Sequence, residues 1–136
     1  MLLVGLAGAT VNAFAQAPVP AFVALEGRWA LQGTKTVFRF QPCGAATCGV
    51  LETSERIQAN PDVRDVKNAK PELRTRRLQG ITSLQDLGVT GAGAWRGRIY
   101  LPGTGATYAL SVTLVNADTL TAKSCAALLL LSLIHI

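Results

Sequence analysis

Covalent catalysis needs a nucleophile beside an oriented base, and this 136-residue chain holds a single histidine, His135. Its three cysteines are Cys43, Cys48 and Cys125. Cys43 and Cys48 enclose Gly44-Ala45-Ala46-Thr47 across a turn, a spacing suited to a small disulfide loop and unlike the C-x-x-C pairs of zinc and redox sites. No second Cys or His pair completes a metal site, so neither a metal nor a cofactor is expected. The acids Glu26, Glu52, Glu55, Asp62, Asp65, Glu72, Asp86 and Asp118 are scattered, whereas glycoside hydrolysis requires two carboxylates facing one bond. Gly88-x-x-Gly91-x-Gly93 precedes a strand, but a phosphate-cradling glycine loop opens a helix. The expectation is a protein that is not an enzyme.

Binding is the chemistry that remains. Trp29, Phe38, Phe40, Trp95, Tyr100 and Tyr108 are candidates to line a cavity for a small apolar ligand. The competing reading has Trp29, Trp95 and Tyr108 filling a small barrel solid, the usual state of barrels this size. Arg39, Arg96 and Arg98 fall on outward strand positions and read as a solvated face. The polar stretch Ser54–Arg77 is too long for an idle connector, and Asp65, Lys67, Asn68, Arg74 and Arg77 are candidates to meet an envelope protein. The net charge of +5 favours loose attraction to anionic surfaces. No aromatics interleave with the bases of that stretch, so a stacking platform for nucleic acid is not expected.

The elements that must position these side chains are strands. Ala94–Tyr100 and Ala106–Leu114 flank a Pro/Gly turn, with Trp95, Gly97 and Ile99 on one face of the first run and Tyr108, Leu110, Val112 and Leu114 on one face of the second. Alternation of that kind marks a half-buried antiparallel hairpin. Further strands are expected at Leu25–Leu31, Lys35–Gln41, Cys48–Thr53, Leu78–Leu84 and Thr119–Cys125, with Gly88–Gly93 a flexible connector and a helical turn near Pro71–Arg74. Seven antiparallel strands of this size curl most simply into a barrel, and the class is all-β.

The two ends differ in character from this middle. Met1–Ala17 is apolar and closes on Ala15-Gln16-Ala17, the pattern of a secretory signal peptide, which places the protein in the periplasm or outside the cell. The barrel domain is assigned to residues 18–125. Residues 126–136 form an uncharged leucine-rich tail too short to span a bilayer. Its end, Leu131–Ile136, reads as the translation of a transposon-end sequencing adapter, so the tail is expected to be non-native read-through. On that reading the barrel lacks its final strand. No transmembrane span is expected.

Gly27-Arg28-Trp29, Pro42-Cys43-Gly44 with Cys48-Gly49, Asp65-Val66-Lys67-Asn68 with Pro71-Glu72-Leu73-Arg74, and Trp95-Arg96-Gly97-Arg98-Ile99-Tyr100 occur in the order seen in a secreted bacterial family. With Leu78-Gln79-Gly80, Pro102, Gly105 and Tyr108, they give a chain that resembles domain of unknown function 2147 over Glu26 to about Lys123. The resemblance implies a small exported β-barrel and carries over no catalytic residue. The sequence departs from the family in Leu101, in Ser124 and in the absence of a closing strand with its terminal Trp. Gly-x-Trp on a first strand is also similar to lipocalins, whose barrels hold small apolar ligands.

Overall fold

Eight strands in the computed structural model, which describes residues 25–136, run in chain order as an antiparallel meander and close on themselves. They are β1 (Gly27–Leu31), β2 (Val37–Cys43), β3 (Ala46–Thr53), β4 (Thr82–Gly91), β5 (Ala94–Leu101), β6 (Ala106–Asn116), β7 (Thr119–Ser124) and β8 (Leu129–His135). The segment assigned to a signal peptide lies outside the described residues.

Register follows from which side chains must share the interior. Trp95 opposes Val112 and Ile99 opposes Tyr108 across β5 and β6, as the alternating pattern requires. Phe38 opposes Leu51 and Phe40 opposes Gly49, so Leu51 is the inward residue of β3 and Val50 the outward one. Trp29, Phe40, Leu84, Ile99, Val112, Leu120 and Leu133 are all essentially inaccessible and form one continuous core.

The expected missing strand is present. Leu129–His135, read above as part of a foreign tail, pairs with β7 and with β1, where Leu31 opposes Leu133 and Trp29 opposes His135. Closure removes both edges that an open seven-strand sheet would expose. The alternation in this run is hidden by leucines on both faces, since Leu133 is fully buried while Leu130 points to solvent. Gly88–Gly91 is likewise a correction. It belongs to β4, which bends at Asp86, a non-glycine residue with φ of 52°. Gly97 sits opposite that bend, where a Cβ would lie 2.3 Å from the carbonyl oxygen of Gln85. The bulge and the glycine together turn the wall.

The connection between β3 and β4 carries a short helix, α1 (Glu55–Ala59), which the sequence pattern did not suggest. Ser54 caps it, its Oγ accepting from the Ile57 amide at 3.2 Å, and Ile57 is the one residue it buries. A single 3₁₀ turn over Pro71–Leu73 occupies the place where a helical turn was expected. At the opposite end of the barrel Cys43 and Cys48 are joined across the β2–β3 turn. Closing so small a loop contributes about 2 kcal/mol in the chain-entropy account.

Candidate functional site

The barrel's two ends differ. The end bearing the β2–β3, β4–β5 and β6–β7 turns buries Trp29, Phe40 and Trp95. Trp29 meets Phe40 edge-on with centroids 6.5 Å apart and His135 at 4.8 Å, and its Nε1 donates to the carbonyl of Leu25 at 2.9 Å. Leu25 is itself fully buried. The Trp95 indole N–H is buried without an acceptor among the described residues.

The other end, where the β1–β2, β3–β4, β5–β6 and β7–β8 connections gather, is hollow. A cavity of ≈ 370 Å³ opens there between Leu31, Phe38, Leu51, Ile99, Leu101, Leu129 and Leu131. Polar groups are confined to a few positions, with Thr36, Ser54, Glu55 and Arg56 contributing together from the first connection and α1. Glu55 is committed to the scaffold: its carboxylate accepts from the Lys35 amide at 2.9 Å, which holds its pKa below the usual carboxylate value. Arg56 forms no ion pair among the described residues. An apolar bowl with one unspent cation at the lip suits an amphiphile, its hydrocarbon portion inside and its anionic head at the rim.

The β3–β4 connection is latched to the barrel wall by a buried carboxylate. Asp65 is 1% exposed, and its oxygens accept from the Tyr100 hydroxyl at 2.6 Å, the Asn68 side-chain amide at 2.9 Å and Arg76 Nε at 3.0 Å. Arg76 also lies over the Tyr100 ring, 5.7 Å from its centroid. Gly105 lets the β5–β6 turn close against the same connection, because a Cβ there, at φ of +75°, would fall 1.8 Å from the Lys67 carbonyl oxygen.

Burial, and then the hydrogen bond to Asp65, push the Tyr100 phenol up from 10.0 to about 12. The folded state therefore keeps this proton where the unfolded chain loses it. Stability from the group is intact below pH 10 and falls as pH rises toward 12. Tyr100→Phe is expected to cost about 1–2 kcal/mol at pH 7, through the lost bond to a charged acceptor. It is also expected to flatten the alkaline decline, and urea unfolding of both proteins at pH 7 and pH 11 measures each effect.

Of the six aromatic candidates, Phe38 alone lines the open cavity. Trp29, Phe40 and Trp95 are buried in the core at the other end of the barrel. Tyr108 is half-buried with its hydroxyl donating to Thr104 Oγ1 at 3.1 Å. Tyr100 lies on the outer face, out of phase with Trp95 and Ile99, where the β3–β4 connection covers it and it lines a second, outer cleft. The five loop candidates are spent locally. Asp65 and Asn68 are buried, Lys67 donates to the Gly103 carbonyl, Arg74 to the Asn68 carbonyl, and Arg77 pairs with Asp62. Arg39 shares Glu52 with Arg28 on the outer wall, and these bonds, Arg28's foremost, lower the Glu52 pKa.

The cavity walls supplied by Leu129 and Leu131 and the rim residue Arg56 went unnoticed in the sequence. The leucine signal was there, in the odd-numbered positions of Leu129–Leu133, but uniform hydrophobicity masked it. Among the described residues no helix is long and apolar enough to cross a membrane, and no cluster of His, Cys, Asp or Glu is placed to hold a metal.

The same barrel is found in a solved structure titled as protein HP1028 from the human pathogen Helicobacter pylori, belonging to the lipocalin family. The match has a TM-score of 0.73 and covers 82% of each chain at 19% identity, so the likeness is one of fold. No curated protein matches the sequence. A family model does, over residues 27–133 and hence from β1 into β8, and the chain belongs to that family, the uncharacterized proteins conserved in bacteria designated DUF2147.

Proposed function

We propose that the protein is an exported binding barrel whose open end takes one small apolar or amphiphilic molecule. The observation that carries this reading is the ≈ 370 Å³ apolar cavity, which lies within the usual size range of small-ligand sites. The lipocalin-family title of the structural neighbour supports it at the level of fold. Export is supported by the disulfide, which persists in oxidising compartments, and by the signal-like opening of the sequence. Binding, with no covalent step, is the activity proposed. Contact with a protein partner through residues 54–77 has less support, because the residues suited to it are already bonded within the chain.

Anilinonaphthalene sulfonate, an aromatic body with one anionic group, is a suitable probe. It is expected to bind one per chain with a saturable rise in fluorescence. Leu131→Trp, which places an indole at the half-buried cavity wall, is expected to weaken that binding at least about tenfold while leaving the unfolding midpoint nearly unchanged. Absence of saturable binding to the unaltered protein, or equal binding by the variant, overturns the reading.

A further inference from the structure

A second concavity lies outside the barrel. Between the latched β3–β4 connection and the outer wall of β4, β5 and β6 runs a cleft of ≈ 590 Å³, with Lys70, Arg76 and Arg98 among its walls and no carboxylate lining it. The three cations keep donors to spare. Arg76 gives only its Nε to Asp65, so both terminal nitrogens of the guanidinium are unbonded within the described protein. Arg98 gives one terminal nitrogen to Asp86, and the Lys70 ammonium has no partner among the described residues.

These groups are held in place as well as charged. The Asp65 carboxylate and the Tyr100 ring fix the plane of Arg76 from behind, and that carboxylate is 0% exposed, turned away from the cleft. Asn68 Oδ1 accepts from the Lys70 amide at 2.8 Å and fixes the backbone that carries the ammonium. Presenting a guanidinium fork by its outer nitrogens is the geometry that recognises an oxyanion in two-point contact. The open fork of Arg76, the remaining donors of Arg98 and the Lys70 ammonium match an anion with several acceptor oxygens and more than one charge, beyond what a single carboxylate offers.

We propose that the cleft bounded by Lys70, Arg76 and Arg98 is a binding site for a phosphate group carrying two or more negative charges, with Asp65 as the positioning residue behind Arg76. The site is separate from the apolar cavity, so either can fail without the other. Its ligand is a free phosphate compound or the phosphomonoester head of a lipid.

The test is a titration of the isotope-labelled full chain with inorganic pyrophosphate at about 0.15 M salt, where diffuse surface attraction is screened. Saturable amide shifts are expected at Asn68–Lys70, Arg98 and Ala106–Thr107. The exposed-site double variant Lys70→Gln/Arg98→Gln is expected to weaken binding at least about tenfold. Arg76→Lys keeps the charge and removes the fork, and a similar weakening separates fork recognition from charge alone. No saturation by about 10 mM, shifts of equal size around Arg28 and Arg39, or unchanged affinity in the double variant overturns the site. Sedimentation with phosphatidylcholine vesicles, with and without phosphatidic acid, identifies the source. Uptake that needs both phosphatidic acid and Lys70/Arg98 assigns a lipid head, and pyrophosphate binding without uptake assigns a free anion.

Discussion

Asp65→Ala is expected to cost about 3 kcal/mol and to release the β3–β4 connection from the barrel wall. The carboxylate serves three donors at once, and two of them, the Tyr100 hydroxyl and the Asn68 amide, belong to side chains almost wholly out of water. Truncation leaves both without an acceptor in a place where a replacement solvent molecule is hard to admit, and it frees Arg76 from its anchor. Asp65→Asn keeps the shape and loses the charge, so a smaller loss is expected. Urea unfolding measures the cost. Trypsin reports the release, because Arg64, Lys67, Arg74, Arg76 and Arg77 all lie on this connection. The folded protein is expected to resist cleavage there while Asp65→Ala is nicked. A variant of unchanged stability that resists trypsin would show that the latch contributes nothing.

Trp29→Ala is expected to cost roughly 3–5 kcal/mol, the range for deleting a large buried aromatic. The indole is engaged on several sides, by Phe40, by the His135 ring and, through its N–H, by the Leu25 carbonyl. Neighbouring strands are tied by backbone ladders and cannot collapse into the space, so the cavity persists and its cost with it. Against a total stability of about 5–15 kcal/mol, that loss leaves a substantial unfolded fraction on mild heating. Trp29→Phe retains part of the volume and loses the hydrogen bond, and is expected to fall between the two. Calorimetric midpoints of the three proteins rank them, and a Trp29→Ala midpoint equal to that of the unaltered protein would refute this account of its packing.

What was legible in the sequence was whatever a period of two makes visible. Most of the β5–β6 hairpin could be read, because its outward positions are mainly Arg, Thr and Ser and its inward ones mainly Trp, Ile, Leu and Val. β8 could not, because Leu130 is apolar and exposed while Leu133 is apolar and buried, and a strand with leucine on both faces carries no alternation. Glycine misled at Gly88 and Gly91, which signal a connector when only neighbours are considered but here extend a bent strand. The outward position of Tyr100 is legible too, since strand parity sets it opposite to Trp95 and Ile99.

The functional features split along the same line. Phe38 as a cavity residue follows from its inward position on β2, and its partner Leu51 follows once register is known. Asp65 as a buried latch does not follow from local pattern, because its partner Tyr100 stands 35 positions away and Arg76 stands 11 away. An acid in a polar stretch is most often solvated, and only the closed fold shows the three donors converging on this one. The cationic cleft was unreadable for the same reason: Lys70 and Arg76 come from the connection and Arg98 from a strand.

The seam between β1 and β8 joins the first strand to the last. During synthesis the amino-terminal strand therefore emerges from the ribosome long before its neighbour exists, and Trp29 waits without the imidazole it finally meets. Hairpins such as β2–β3 and β5–β6 are able to form locally, but the cylinder itself is completed only after translation has passed His135. A barrel assembled in this way stays open-sided throughout its synthesis, and the last seven-residue strand is the stave that closes its wall.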